Sequence, residues 1–166
     1  MVQVRITGLA LDTQSQPVLI LKPLVEEEGT GTLLPIWIGP QEATSILMAI
    51  QGDTPPRPMT HDLMKTILDD LGAAVERVEI TRIEDGTFYA EITLRTRDGV
   101  LTLDARPSDS IALATRAGAP IWVADDVIAE AGVVDATVAE GEDADAEVAA
   151  FSEFLEHVNP EDFREE

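Results

Sequence analysis

Carboxylates and one histidine are what this sequence offers for chemistry. Asp104 ends a strand pattern and shares a face with Val100 and Thr102, Arg106 follows it, and Ser108-Asp109 begins the next helical pattern. A carboxylate closing a strand beside another opening a helix can converge on one point, and oxygen ligands of that kind suit Mg²⁺ or Mn²⁺. Glu42, at another strand-to-helix junction, is a further ligand candidate, which makes Glu42, Asp104 and Asp109 the candidate metal set. His61 stands in the first turn of a helical pattern after a proline-rich loop and could act as a general base. Each has an ordinary alternative. Glu42 and Asp109 suit a first helical turn for dipole reasons alone, Asp104 and Arg106 could pair with each other, and the His61 ring could cap a loop carbonyl. A helix start also disfavours a charged ring, so a neutral His61 is expected.

Other chemistries are excluded. The chain has no cysteine, which removes disulfides, thiolate metal sites and a cysteine nucleophile. There is no glycine-rich phosphate loop, paired-histidine zinc motif or nucleophile elbow. His61 and His157 lie in distant segments, a poor basis for a histidine zinc site.

The elements that must position these residues follow from periodicity. Val2, Val4 and Ile6 alternate with polar residues as a half-buried strand; Val18 to Leu21 reads as a more fully buried one; Leu33 to Ile38 is a third, with Pro35 pointing to an edge or strand end. Gly39-Pro40 opens a helix whose apolar stripe runs through Ala43, Ile46, Leu47 and Ile50 to a stop at Gly52. Thr60 is the expected N-cap of the next helix, with Met64, Ile67, Leu68 and Leu71 as its buried face. Strand patterns over Val75–Ile83, Phe88–Leu94 and Val100–Ala105 follow, then a helix from Pro107 to Gly118, a short strand Ile121–Val123 and a short helix after Asp126. Leu33–Glu42 aligns without a gap on Val100–Asp109, each a strand, an X-Pro step and a helix with an acidic residue two past the proline. The pattern gives an α+β fold: a mixed, largely antiparallel sheet with helices packed on it, arranged as two βββα-like repeats if the alignment reflects duplication.

With 166 residues, 45% apolar and only 4% aromatic, the chain suits one domain whose core rests on Leu, Ile, Val and Ala. Its divisions are a folded body over 1–133, a flexible acidic linker over 134–147, and a C-terminal amphipathic helix and tail over 148–166, with Val148, Phe151, Phe154, Leu155 and Val158 at helical spacing. Such a helix is too short to stand alone and needs its own domain, another subunit or a protein partner to dock on. The net charge is −21, concentrated at the end: residues 1–123 hold ten basic and seventeen acidic side chains, residues 124–166 one and fifteen. That balance opposes binding to a polyanion. No leader pattern precedes the first strand and no apolar run nears the ~20 residues of a membrane span, so a cytoplasmic location is expected.

Three segments carry a resemblance. Leu34-Pro35-Ile36-Trp37-Ile38-Gly39-Pro40-Gln41-Glu42-Ala43, Arg57-Pro58-Met59-Thr60-His61-Asp62-Leu63 and Asp104-Ala105-Arg106-Pro107-Ser108-Asp109-Ser110-Ile111-Ala112-Leu113-Ala114 are similar, in order and spacing, to the bifunctional nuclease family. The match spans roughly residues 1 to 132, and the acidic tail resembles an extension of actinobacterial members. The resemblance implies an α+β domain, homo-oligomers, and nuclease activity on DNA and RNA. Its motif positions make His61, Asp104, Arg106 and Ser108 the catalytic candidates beside the metal set. On that reading the metal would hold a phosphate oxygen and activate a water, His61 would relay a proton, and Arg106 or Arg57 would offset phosphate charge. The competing reading, which the charge favours, is a non-enzymatic oligomeric module that recognises a protein or small ligand.

Overall fold

The computed structural model describes residues 1–135. Two three-stranded antiparallel meanders form most of it: β1 (Val2–Leu11), β2 (Pro17–Pro23) and β3 (Thr32–Trp37), then β4 (Ala74–Glu84), β5 (Thr87–Thr96) and β6 (Gly99–Ala105). Helices α1 (Pro40–Gln51) and α2 (Thr60–Asp70) follow the first meander and α3 (Pro107–Ala117) the second. β7 (Ile121–Val123), α4 (Asp125–Ala131) and β8 (Val133–Val134) complete the described chain. The strands join in one sheet of order β6-β5-β4-β7-β1-β2-β3-β8. β7 lies between the meanders, antiparallel to β1 and parallel to β4. The expected α+β class and largely antiparallel sheet are therefore what the chain adopts, with a βββα order in each half. Pro35 sits where the edge reading placed it, because β8 pairs only with Thr32 and Leu33 of β3.

The core follows from strand alternation. Leu19, Leu21, Leu34 and Ile36 face a large cluster with Val78, Ile80, Ile92 and Leu94, roofed by Ile46 of α1 and Ile111 to Ala114 of α3. Val18, Ile20 and Leu33 form a smaller cluster with Trp37, which is why β2 reads as an unbroken apolar run. No aromatic ring is among the buried core residues described.

Both helices beside α3 are rotated from the faces that apolar spacing predicts. In α1, Leu47 and Ile50 are exposed; Ser45 and Ile46 are buried, with Glu42, Ala43, Met48 and Ala49 half-buried around them. In α2, Ile67 and Leu71 are exposed; His61, Met64, Lys65 and Leu68 turn inward. The stripe shared with α3 thus carries polar side chains at its N-terminal end. The start of α2 also moves by one residue: Met59 is the N-cap, and its N–H donates to Asp62 Oδ2 at 2.9 Å.

Arg116 ties the three helices together. Its side chain, 10% exposed, donates to Asp62 Oδ1 of α2 at 2.6 Å, to Ser45 O of α1 at 3.2 Å and to Ala112 O of its own helix at 2.9 Å. At the other end of the sheet, Lys22 Nζ is buried, donating to Asp135 Oδ2 and to Thr30 O, while Gly29 N–H also donates to Asp135 Oδ2. Val134 in β8 and the buried Asp135 therefore belong to the folded body, two residues that composition alone assigns to the linker. The expected linker beyond them and the helix through Val148–Val158, with His157, lie outside the described residues.

Candidate active site

Three helix starts meet at one place. Each follows from local sequence: Gly39-Pro40 and Arg106-Pro107 put proline at the first helical position, where its missing N–H costs nothing, and Met59-Thr60 follows the loop containing Pro55, Pro56 and Pro58. The first turns of α1, α2 and α3 line a cavity of about 670 Å³ through Pro40, Gln41, Glu42, Met59, Thr60, His61, Arg106 and Asp109, together with Thr44 and Ser45 of α1. No side chain caps α1 or α3: Gly39 has none, and Arg106 cannot accept a hydrogen bond.

A chain of hydrogen bonds runs through the site. Ser45 Oγ lies 2.8 Å from His61 Nδ1, and His61 Nε2 lies 3.0 Å from Asp109 Oδ1. Arg106 Nε donates to Asp109 Oδ2 at 2.7 Å, and its other arm donates to Glu42 Oε1 at 2.9 Å. Burial works to raise the Asp109 carboxyl, but hydrogen bonds from Arg106 and His61 and their charges outweigh it and hold the group below its ordinary value. The bond from Arg116, against a smaller burial effect, likewise depresses Asp62. Donating to Asp109, and then to Glu42, raises the Arg106 guanidinium. Asp109 is therefore an ionised acceptor, so His61 Nε2 carries a proton; in the neutral ring Nδ1 is the acceptor and the Ser45 hydroxyl donates to it.

The aligned residues Glu42 and Asp109 both occupy the third position of their helices and both hold Arg106. His61 joins them. Asp104 stands apart: it is exposed on β6, in register with Glu91 of β5, and does not line the cavity. Ser108 is buried in the first turn of α3 and Arg57 is exposed in its loop, neither of them lining the cavity. The structure thus brings Glu42 and Asp109 together, bridged by the single guanidinium of Arg106, and leaves Asp104, the third expected ligand for Mg²⁺ or Mn²⁺, elsewhere. Among the described residues no group of three or more His, Asp or Glu side chains is placed to hold a metal ion. Ser45 and Arg116 were not legible as site residues. The available signal was spacing: Ser45 is three residues past Glu42 and one before Ile46, on the same side of α1.

A histidine flanked by a hydroxyl and a carboxylate, beside an arginine and three helix starts, is an arrangement able to move a proton and to hold an anion. Such a site sits here on an eight-stranded mixed sheet. The family model for the bifunctional nuclease domain matches residues 23–136, and this chain belongs to that family. An uncharacterised protein of Mycobacterium tuberculosis is 42% identical over 170 residues, covering 98% of both chains. Bifunctional nuclease 2 of Oryza sativa subsp. japonica is 32% identical over 116 residues, and bifunctional nuclease 1 of Arabidopsis thaliana 30% over 115. Each alignment covers 68% of this chain but 34% of the plant protein. Among the described residues, no helix is long and apolar enough to cross a membrane.

Proposed function

We propose that the protein is a nuclease that hydrolyses phosphodiester bonds of DNA or RNA in the cavity between the starts of α1, α2 and α3. The observation that carries this reading is the convergence of those starts on His61 and Arg106. A chain of net charge −21 repels nucleic acid at long range, so cleavage needs a local exception. The cavity supplies one. Arg106 offsets one of the two carboxylates, and three helix starts of about half a positive charge each more than offset the other. A phosphate entering the cavity exchanges with a carboxylate on Arg106, and first-turn N–H groups of α1 and α3 bind its non-bridging oxygens. His61, oriented by Asp109, moves the proton.

The test is cleavage of single- and double-stranded DNA and RNA by the full chain, beside His61→Gln and Arg106→Ala. Loss of cleavage in both variants, at unchanged thermal stability, supports the reading; equal cleavage by all three assigns the activity to a contaminant. A chelator arm decides the metal question. Persistence in EDTA supports proton transfer by His61 without a cation, whereas strict dependence on Mg²⁺ or Mn²⁺ puts an ion between Glu42 and Asp109 with Arg106 turned away. Exposed Leu63, Ile67 and Leu71 on α2 favour a second reading, a module that binds a protein without turnover. An intact substrate under every condition selects it.

A further inference from the structure

We infer that Ser45 is the nucleophile of this site, attacking phosphorus through a covalent phosphoseryl intermediate; the inference rests on the phosphodiester reading above. Serine, base and orienting carboxylate stand in the order that activates a hydroxyl, at 2.8 and 3.0 Å. Relative to the familiar serine hydrolase arrangement the ring nitrogens exchange roles, which leaves the chemistry unchanged because such a triad is defined by geometry and function. Asp109 accepts the hydrogen bond from Nε2–H, so in the neutral ring the Ser45 proton is directed at Nδ1.

Beyond the first two positions of each helix, the other hydroxyls of α1, α2 and α3 set Ser45 apart. Thr44, Thr66, Ser110 and Thr115 each donate to the carbonyl four residues earlier, the usual resting place for a hydroxyl inside a helix. Ser45 instead reaches across to α2 and bonds a buried imidazole. It is 4% exposed, lines the cavity, and has its backbone fixed by the Arg116 bond to its carbonyl.

The step balances without a co-reactant other than water. Ser45 Oγ forms a bond to phosphorus as its proton passes to His61 Nδ1. The bond from phosphorus to one sugar oxygen breaks, and that oxygen leaves with the proton from Nδ1. Water then attacks phosphorus and gives a proton to Nδ1, and the Oγ–P bond breaks as Ser45 recovers its proton. Arg106 and the helix starts hold the non-bridging oxygens through both displacements.

Two measurements on the full chain test it. Diisopropyl fluorophosphate reads hydroxyl activation independently of nuclease turnover: Oγ bonds phosphorus, fluoride leaves, and peptide mapping locates the adduct. Labelling at Ser45 that falls at least ~10²-fold in His61→Gln supports the proposal; an unlabelled Ser45 in folded wild-type protein overturns it. The second is the configuration at phosphorus after cleavage of a chiral dinucleoside phosphorothioate in heavy-oxygen water, whose isotope keeps the product phosphorus chiral. Retention, with loss of at least ~10³-fold in rate in Ser45→Ala, supports two displacements. Inversion overturns Ser45 as nucleophile and leaves the nuclease reading standing. Labelled Ser45 without cleavage does the reverse.

Discussion

Arg116→Ala would test whether the geometry of the site depends on the strut beneath it. The guanidinium makes one bond to Asp62, whose side chain is 25% exposed, and two to carbonyls of α1 and α3. Solvent screening limits the ion pair to about 1 kcal/mol, and the two bonds to carbonyls add about 1 kcal/mol each, the central value for a hydrogen bond in a protein. The loss is therefore about 3 kcal/mol. With a urea dependence of about 2 kcal/mol per molar for a domain of this size, the unfolding midpoint should fall by about 1.5 M. Activity should fall further than unfolding explains, because Ser45 and His61 sit on the two helices that Arg116 joins to α3. A displacement of about 1 Å there costs on the order of 10²-fold in rate. Arg116→Lys should recover part of the stability and little of the rate, since one ammonium cannot span three partners. A midpoint within 0.3 M (about 0.6 kcal/mol) of wild type would refute the strut.

Three other outcomes follow from the same structure. Asp135→Ala leaves the buried Lys22 ammonium without its carboxylate and should cost about 3–5 kcal/mol, read by urea unfolding. Asp62 and Asp109 have depressed carboxyl values in the fold, so the stability they supply is complete above their unfolded value near 4 and is lost as pH falls through their lower folded values; unfolding midpoints should decline below about pH 4, more gently in Asp62→Asn. Gly118, the C-cap of α3, has φ 64°, and Gly118→Ala should lower stability by about 1 kcal/mol through that left-handed backbone, with cleavage by the folded fraction unchanged.

The linear arrangement of elements was legible because punctuation is local. Proline at 40 and 107, and glycine at 52, 72 and 118, bound the helices where chain geometry requires it. Helix orientation was not. In α1 the stripes 43/46/47/50 and 42/45/46/49 share Ile46, and periodicity prefers the more apolar one; packing against α3 selects the other, bringing Glu42 and Ser45 inward. The same choice in α2 turns His61 in and leaves Ile67 and Leu71 out. Glu42, His61, Arg106 and Asp109 could be named as candidates from their types and positions. Their partnership required knowing that α1 and α3, 64 residues apart at Glu42 and Arg106, begin side by side. Asp104 closes a strand beside a helix start in the sequence, yet the β5–β6 register sets it opposite Glu91.

The Lys22–Asp135 pair has a practical consequence for anyone trimming the chain. A fragment ending at residue 133, where hydrophobic patterning gives out, would strand a desolvated ammonium between β2 and the Thr30 loop. One extended by two residues closes that hairpin with its own carboxylate. The safe cut thus lies beyond Asp135, and expression yields of the two fragments should differ sharply although neither loses a cavity-lining atom.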